Sequence, residues 1–410
     1  MHSKGFILLG IAFRIALFLG LIAITLYQLR VAFIAQTVYS DIATKKEVRK
    51  YQNDPLLLVA YGKEESALGH HEKARKWFQK ALYANPVYIP AWLNLAELEN
   101  DVGNINRSLE ILNYLDDLMQ GVLRWRWEKA MLAYLLGREE MLQDDLSWLL
   151  QQKNLTRQTK QKVLNFVFSL WPKPAELVKK MGKENSTSLF VHAVRMKNID
   201  TASFLWTVTD HTLLEKKQVL QYINLLINNQ KINKAALLWQ EYYPNYPNNN
   251  LLYNGNFSLP LLQGGFGWRI WERILKKQGI EATTEGSALH LHFTGKQNIN
   301  LYHITQLIPL PAGQTFKLTG EMRSKNLTTD QRPFLQLIGR KCSMRFVTEM
   351  VKSNQDWSRF SLHFTVPTKC NQGVELRLCR LPSKKIDSLI SGDFWITNLS
   401  LQNVSASTFQ

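Results

Sequence analysis

The chain has 410 residues, 45% of them apolar and 20% charged, which excludes wholesale disorder and leaves room for two or three domains with a substantial core. Its 50 Lys and Arg against 33 Asp and Glu give a net charge of +17, pointing to an anionic partner such as a membrane surface, an acidic polysaccharide or nucleic acid. The basic residues form no compact run, so a scattered excess on an envelope protein is the plain alternative. No G-x-S-x-G elbow, Walker loop, H-E-x-x-H or G-x-G-x-x-G motif is present, and no nucleic-acid recognition motif accompanies the charge.

Residues 5–27, "GFILLGIAFRIALFLGLIAITLY", are almost wholly apolar. At ~1.5 Å per residue they reach across a ~30 Å hydrocarbon core as one helix. Arg14 lies in the N-terminal half, from which it snorkels to the interface. A signal peptide would use Lys4 and Arg14 as its basic region, but Gln28, Leu29 and Arg30 follow in place of a small-x-small cleavage site. The expectation is therefore an uncleaved anchor, with residues 1–35 as cytoplasmic tail and transmembrane helix. Arg30, Lys45, Lys46, Arg49 and Lys50 follow the span, and counted strictly they keep the C-terminal part in the cytoplasm. Features of the C-terminal part favour export, so both orientations stay open.

Gly69, Gly103 and Gly137 stand 34 residues apart. In the same register come Gly62, Ala96 and Ala130, then Ala74, Ser108 and Leu142, then Phe78, Leu112 and Leu146, then Ala81, Leu115 and Leu149. Small residues let two helices approach and the large ones fill the groove between them, while Pro86 ends the first unit. This unit, "LLLVAYGKEESALGHHEKARKWFQKALYANP", resembles the tetratricopeptide repeat. The stretches 188–206 and 222–244 align Ala202 with Ala235 and Trp206 with Trp239 as later copies, and the helical segment 150–187 has no fixed register. The resemblance implies an α-solenoid over residues 50–245 that docks a protein partner, with a structural spacer as the alternative.

After "EYYPNYPNNN" the period changes to two. "ALHLHF" (288–293), "FKLTGEMR" (316–323), "PFLQLIG" (333–339), "RFSLHFTV" (359–366), "VELRLCRL" (374–381) and "FWITNLSL" (394–401) alternate and predict an antiparallel β-sandwich. "NGNF" with Pro260 and "GFGW", "QLIPLPAGQTFKLTGEMRS", "DWSRFSLHFTVP" and the closing "GDFWITNLSL" resemble galactose-binding-like jelly rolls, carbohydrate-binding modules of the family 4/9 type among them, over residues 250–405. The resemblance implies that "NGNFSLP" is the first strand and that Trp268 and Trp395 seal the core. The family's structural calcium site is an option here and not an expectation, because Thr397 and Asn398 replace its usual paired acids near the last strand. No other cofactor and no catalytic metal is expected. The tandem of anchor, repeats and sandwich resembles membrane-anchored repeat proteins of bacterial exopolysaccharide and exosortase-type loci.

Sugar recognition needs aromatic faces against the apolar side of a pyranose and planar polar groups for its hydroxyls. Trp271 and Tyr302 are candidates for the faces, and His290, His292, Arg323 and Arg377 for the polar groups, all as outward residues of a concave sheet. His290 and His292 have metal-like i, i+2 spacing without a third ligand. Cys342 and Cys370 fall in loops at the same end of the expected sandwich. A bridge between them requires an oxidising compartment and leaves Cys379 as the odd thiol; three buried thiols are the alternative.

The expected whole is multidomain α + β: an N-terminal transmembrane helix, an α-solenoid and a C-terminal jelly roll. Its expected role is a non-enzymatic scaffold at a bacterial inner membrane, single-pass, with the C-terminal domains in the periplasm. It would bind a protein partner and a glycan or acidic polysaccharide, and no nucleic acid. A purely protein–protein scaffold, and a glycan-active enzyme with a carboxylate pair drawn from Glu321, Glu349 and Asp356, are the alternatives. A C-terminal alkaline phosphatase fusion is expected to be active; an inactive fusion would place the domain in the cytoplasm.

Overall fold

A computed structural model describes residues 3–38, 53–244 and 250–404, with side chains of the first helix described over 16–33. Arg14, Lys4 and the basic residues at 45–50 thus lie outside the described side chains. The chain divides into two compact units, Met1–Ser188 and Leu189–Gln410. Helix α1 (Ser3–Val38) contains Ala16–Phe33, long and apolar enough to cross a membrane, a test that a signal sequence also passes.

The first unit continues as antiparallel helix pairs: α2 (Pro55–Ala67) with α3 (His71–Ala84), α4 (Ile89–Asp101) with α5 (Ile105–Leu118), α6 (Arg126–Leu135) with α7 (Glu139–Gln151), and α8 (Arg157–Leu170) followed by α9 (Pro174–Met181). Asp54 caps α2 by accepting from Leu56 N, and Pro55 fits the first turn because no partner exists there for a backbone N–H. Gly69, Gly103 and Gly137 occupy the turn inside each of the first three pairs at φ of 76°, 85° and 66°, a left-handed position that reverses the chain without strain in glycine. The repeat positions from Ala74 to Leu149 are buried as the 34-residue register requires. The polar exception, Ser108, donates to Ala96 O at 2.7 Å.

The second unit begins within α10 (Ser186–Arg195) and continues through α11 (Ile199–Val208), α12 (Lys216–Asn228) and α13 (Ile232–Tyr242). Here Lys197 and Gln230 take the left-handed turn positions, at φ of 58° and 62°. Losing glycine there is what weakens the repeat signal, while Ala202, Ala235, Trp206 and Trp239 keep their buried places.

Two five-stranded antiparallel sheets complete this unit. The first has the order β1-β4-β9-β6-β7 and the second β2-β3-β10-β5-β8. Their strands are β1 (Arg269–Ile270), β2 (Ile280–Glu285), β3 (Ala288–Thr294), β4 (Leu301–Ile308), β5 (Thr315–Lys325), β6 (Phe334–Gly339), β7 (Arg345–Val347), β8 (Gln355–Thr365), β9 (Val374–Arg380) and β10 (Ser391–Asn403), with the short helix α14 (Glu272–Lys277) after β1. Inward residues such as Phe293, Phe316, Leu376 and Phe394 fill one core between the sheets. Trp268 joins them at 2% exposure, and its indole Nε1 donates to Asn254 O at 3.2 Å. Cys342 and Cys370 form a disulfide that ties the β6–β7 turn to the loop before β9, and Cys379 is a buried free thiol.

Two expectations need correction. "NGNFSLP" is a turn, not a strand: Asn254 and Phe257 stand at φ of 52° and 54°, so the chain coils where a strand would extend. It nevertheless lies along β10, with Leu251 N donating to Leu401 O and Leu399 N to Gly255 O, both at 2.9 Å. Trp395 does not seal the core. In β10 the buried Phe394 and Ile396 face inward, and strand alternation turns Trp395 to the outer surface.

Gly255 approaches β10 so closely that a Cβ there would stand 2.0 Å from Leu399 O. Gly255→Ala is therefore expected to cost about 1–3 kcal/mol in urea unfolding, because backbone has to move to admit the methyl. Wild-type stability in that variant would contradict the close approach.

Candidate functional site

Side chains of β4, β6, β7 and β9 that point away from the core form the outer face of the first sheet. Register sets them in rows: Thr305, Arg377, Gln336 and Val347 in one, and Leu307, Glu375, Ile338 and Arg345 in the next. Phe334 stands opposite Cys379 in a third. A groove of about 360 Å³ runs over this face, lined by Tyr302, Phe334, Gln336, Ile338, Arg345 and Arg377 among others. Tyr302 is 43% exposed beside the irregularity between Leu301 and Ile304, which breaks the regular pairing with β9 and re-aims the side chain.

Trp271 lies at the same sheet's β1–β4 edge. Its N–H donates to His303 O at 3.1 Å, and its ring meets the His303 ring edge-on at 5.8 Å. Tyr302 stacks on His303 at 4.1 Å, so the imidazole sits between two exposed aromatic rings. Sequence reasoning overlooked His303, Phe334, Gln336 and Arg345. Alternation along "PFLQLIG" marks Phe334 and Gln336 as one face of a strand, but pairing β6 with β9 and β7 required the register.

Among the sequence-nominated residues, Trp271, Tyr302 and Arg377 therefore share one sheet. His290, His292 and Arg323 lie on the outer face of the other sheet and cannot join the same site. There His290 stacks on Trp395 at 4.5 Å and 6°, and the Arg323 guanidinium lies 5.1 Å from the same ring on the opposite flank. His290 Nδ1 is 2.7 Å from Glu285, while His290 Nε2 and His292 Nδ1 converge on Asp393 Oδ1 at 2.9 and 2.8 Å. Burial pushes the Asp393 carboxyl up, but the hydrogen bonds from His292 and His290 outweigh it and hold the group below its ordinary range. The hydrogen bond from His290 likewise holds Glu285 down. These contacts have hydrogen-bond length, and among the described residues no group of three or more metal-ligating side chains is arranged to hold an ion.

The residues near Asn398 do not fit the calcium that the jelly-roll resemblance leaves as an option. Asn254 and Asn256 spend their amide oxygens on the N–H groups of Leu259 and Ser258, and no carboxylate lines the adjoining pocket. Of the carboxylates considered as a catalytic pair, Glu321 is held by Arg359 at 3.0 Å and by Asn398 at 3.2 Å on the second sheet. Cys379 is inert, since burial pushes its thiol up to about 11.

No protein-family model and no curated protein sequence matches the chain. Among solved structures it is similar to a CBM4 module, with TM-score 0.28 and 16% identity over 37% of this chain and 99% of that one. It is similar also to a family 16 carbohydrate-binding module, with TM-score 0.26 and 18% identity over 37% and 99%. Pseudomonas aeruginosa pilF gives TM-score 0.26 and 15% identity over 47% of this chain and 93% of that one. These overlaps are too loose to transfer a residue's role.

Burial holds the His303 imidazole below its ordinary range, and its Nδ1 has no hydrogen-bond partner among the described residues. His192 in α10 is held down to about 4 by burial and by Arg195. Each folded-state value lies below the unfolded one, so the stability is complete above about pH 6.5 and is lost as pH falls towards the folded-state value. The thermal midpoint is expected to drop from about pH 7 to about pH 5, and His303→Phe to remove part of that drop. An unchanged slope in the variant would acquit His303.

Proposed function

We propose that the chain is a non-enzymatic, membrane-tethered scaffold that binds a glycan in the groove of the first sheet and a protein partner on its helical pairs. The observation that carries this reading is the groove's composition. Tyr302 offers an exposed ring face for the apolar side of a pyranose, and Gln336, Arg345 and Arg377 offer planar donors for its hydroxyls. Hydrolysis of a glycosidic bond calls for two carboxylates about the scissile bond, and the groove's lining carries none. The second sheet is a poorer candidate, because His290 and Arg323 flank the Trp395 ring.

The Cys342–Cys370 disulfide is at home in an oxidising compartment, which supports C-terminal domains in the periplasm. The helix at Ala16–Phe33 would tether them to the inner membrane. In that place a chain holding both glycan and protein suits the assembly or export of an envelope polysaccharide. The helical pairs would supply the protein contact by stacking amphipathic units that leave one face open.

Full-length, detergent-solubilised protein is expected to bind on a polysaccharide array. Trp271→Ala with Tyr302→Ala should weaken that binding by about ten-fold or more, ~1.4 kcal/mol, while capture of the protein partner persists. A folded protein that binds no polysaccharide would overturn the glycan half.

A further inference from the structure

The outer face of the second sheet carries carboxylates beside its cations: Arg359 pairs with Glu321, and His290 and His292 with Glu285 and Asp393, while Arg323 lies over the Trp395 ring. The groove's lining instead holds two guanidinium groups, Arg345 and Arg377, and no carboxylate. Arg377 is offset from outside the lining by Glu375, with Nε 2.6 Å from Oε1. Arg345 meets a neutral group. With the Gln336 amide oxygen turned towards it, that oxygen accepts from Arg345 Nε at 2.9 Å and Nη2 at 3.3 Å. A neutral acceptor fixes the orientation of the planar fork without cancelling its charge.

We infer that the groove takes an anionic glycan, one whose sugars carry a carboxylate or an equivalent acidic substituent, and that Arg345 reads that charge. This rests on the glycan reading of the groove and narrows it. Guanidinium matches a carboxylate in two parallel hydrogen bonds, which a hydroxyl cannot reproduce. Arg345 and Arg377 stand in successive outward rows, with the exposed Tyr302 ring beside them. An acidic sugar stacked there meets a positive group whose compensation has been left to the ligand.

A chain of net charge +17 attracts polyanions loosely over its whole surface, so the test has to separate groove from surface. Full-length, detergent-solubilised protein is titrated with polygalacturonate, alginate and hyaluronan, each against its carboxyl-reduced form. Arg345→Gln is compared with Arg359→Gln, an equal charge change on the opposite sheet at a side chain 89% exposed. The expected result is preference for at least one acidic polymer, a loss of about ten-fold or more in Arg345→Gln, and no change in Arg359→Gln. Equal loss in both variants would mean diffuse attraction and overturn the inference. Equal binding of the reduced polymers, unaffected by Arg345→Gln, would overturn the anionic reading and leave the glycan reading standing. Failure of the folded protein to bind any polymer of either kind would overturn both.

Discussion

The sandwich depends on how its first residues are fastened to its last. Asn250 is buried, and its single amide serves three backbone groups: the oxygen accepts from Leu252 N at 3.0 Å and Leu401 N at 2.8 Å, and the nitrogen donates to Leu399 O at 2.9 Å. Gly255 continues the attachment along β10. A buried polar group costs far more unmade than made, so this fastening tolerates little slippage. On the other side of the segment, Trp239 of α13 meets Tyr253 and Phe266 edge-on at 5.1 and 5.8 Å, and Asn224 of α12 accepts from Gly265 N and from Arg269. The segment is thus held between the last helices and the last strand. Because β1 and Trp271 follow it directly, the groove's aromatic edge inherits its position.

The two outer faces show why alternation alone does not define a site. A period of two separates inward from outward residues equally well on both sheets. His290 and Arg323 look as eligible as Tyr302 and Arg377 until the pairing is known. The register then places the first pair around Trp395, where aromatic and charged groups satisfy one another. It places the second pair around a groove with spare donors. The difference lies in what neighbouring strands contribute, which is a long-range property.

Much of the fold was legible because local chemistry dictates it. Three glycines at one spacing mark three reversals of helix direction, and six alternating segments became β3, β5, β6, β8, β9 and β10. Strand β4 escaped notice because it is covered on both sides: from His303 to Ile308 every residue is buried, including Thr305 and Gln306, so no alternation remains to be read. Trp395 was misread for a related reason, since a large aromatic on a strand is a default core residue until its neighbours Phe394 and Ile396 claim the inside. Of the candidate site, Tyr302, Trp271 and Arg377 were visible as outward polar or aromatic residues. Arg345 was not, because β7 has three residues and carries no periodicity of its own. Gln336, though on a readable strand face, owes its place to the pairing of β6 with β7 and β9.

Strand β10 comes after every other described strand of its sheet, yet it lies between β3 and β5 at the sheet's centre. Until residues 391–403 emerge, β3 and β5 have no partner on their inner edges and the second sheet remains in two pieces. The sandwich therefore cannot close before residues 391–403 are free to pair. Closure of the domain is thus one late, long-range event: the β2–β3 and β5–β8 pairs stay separate until β10 joins them.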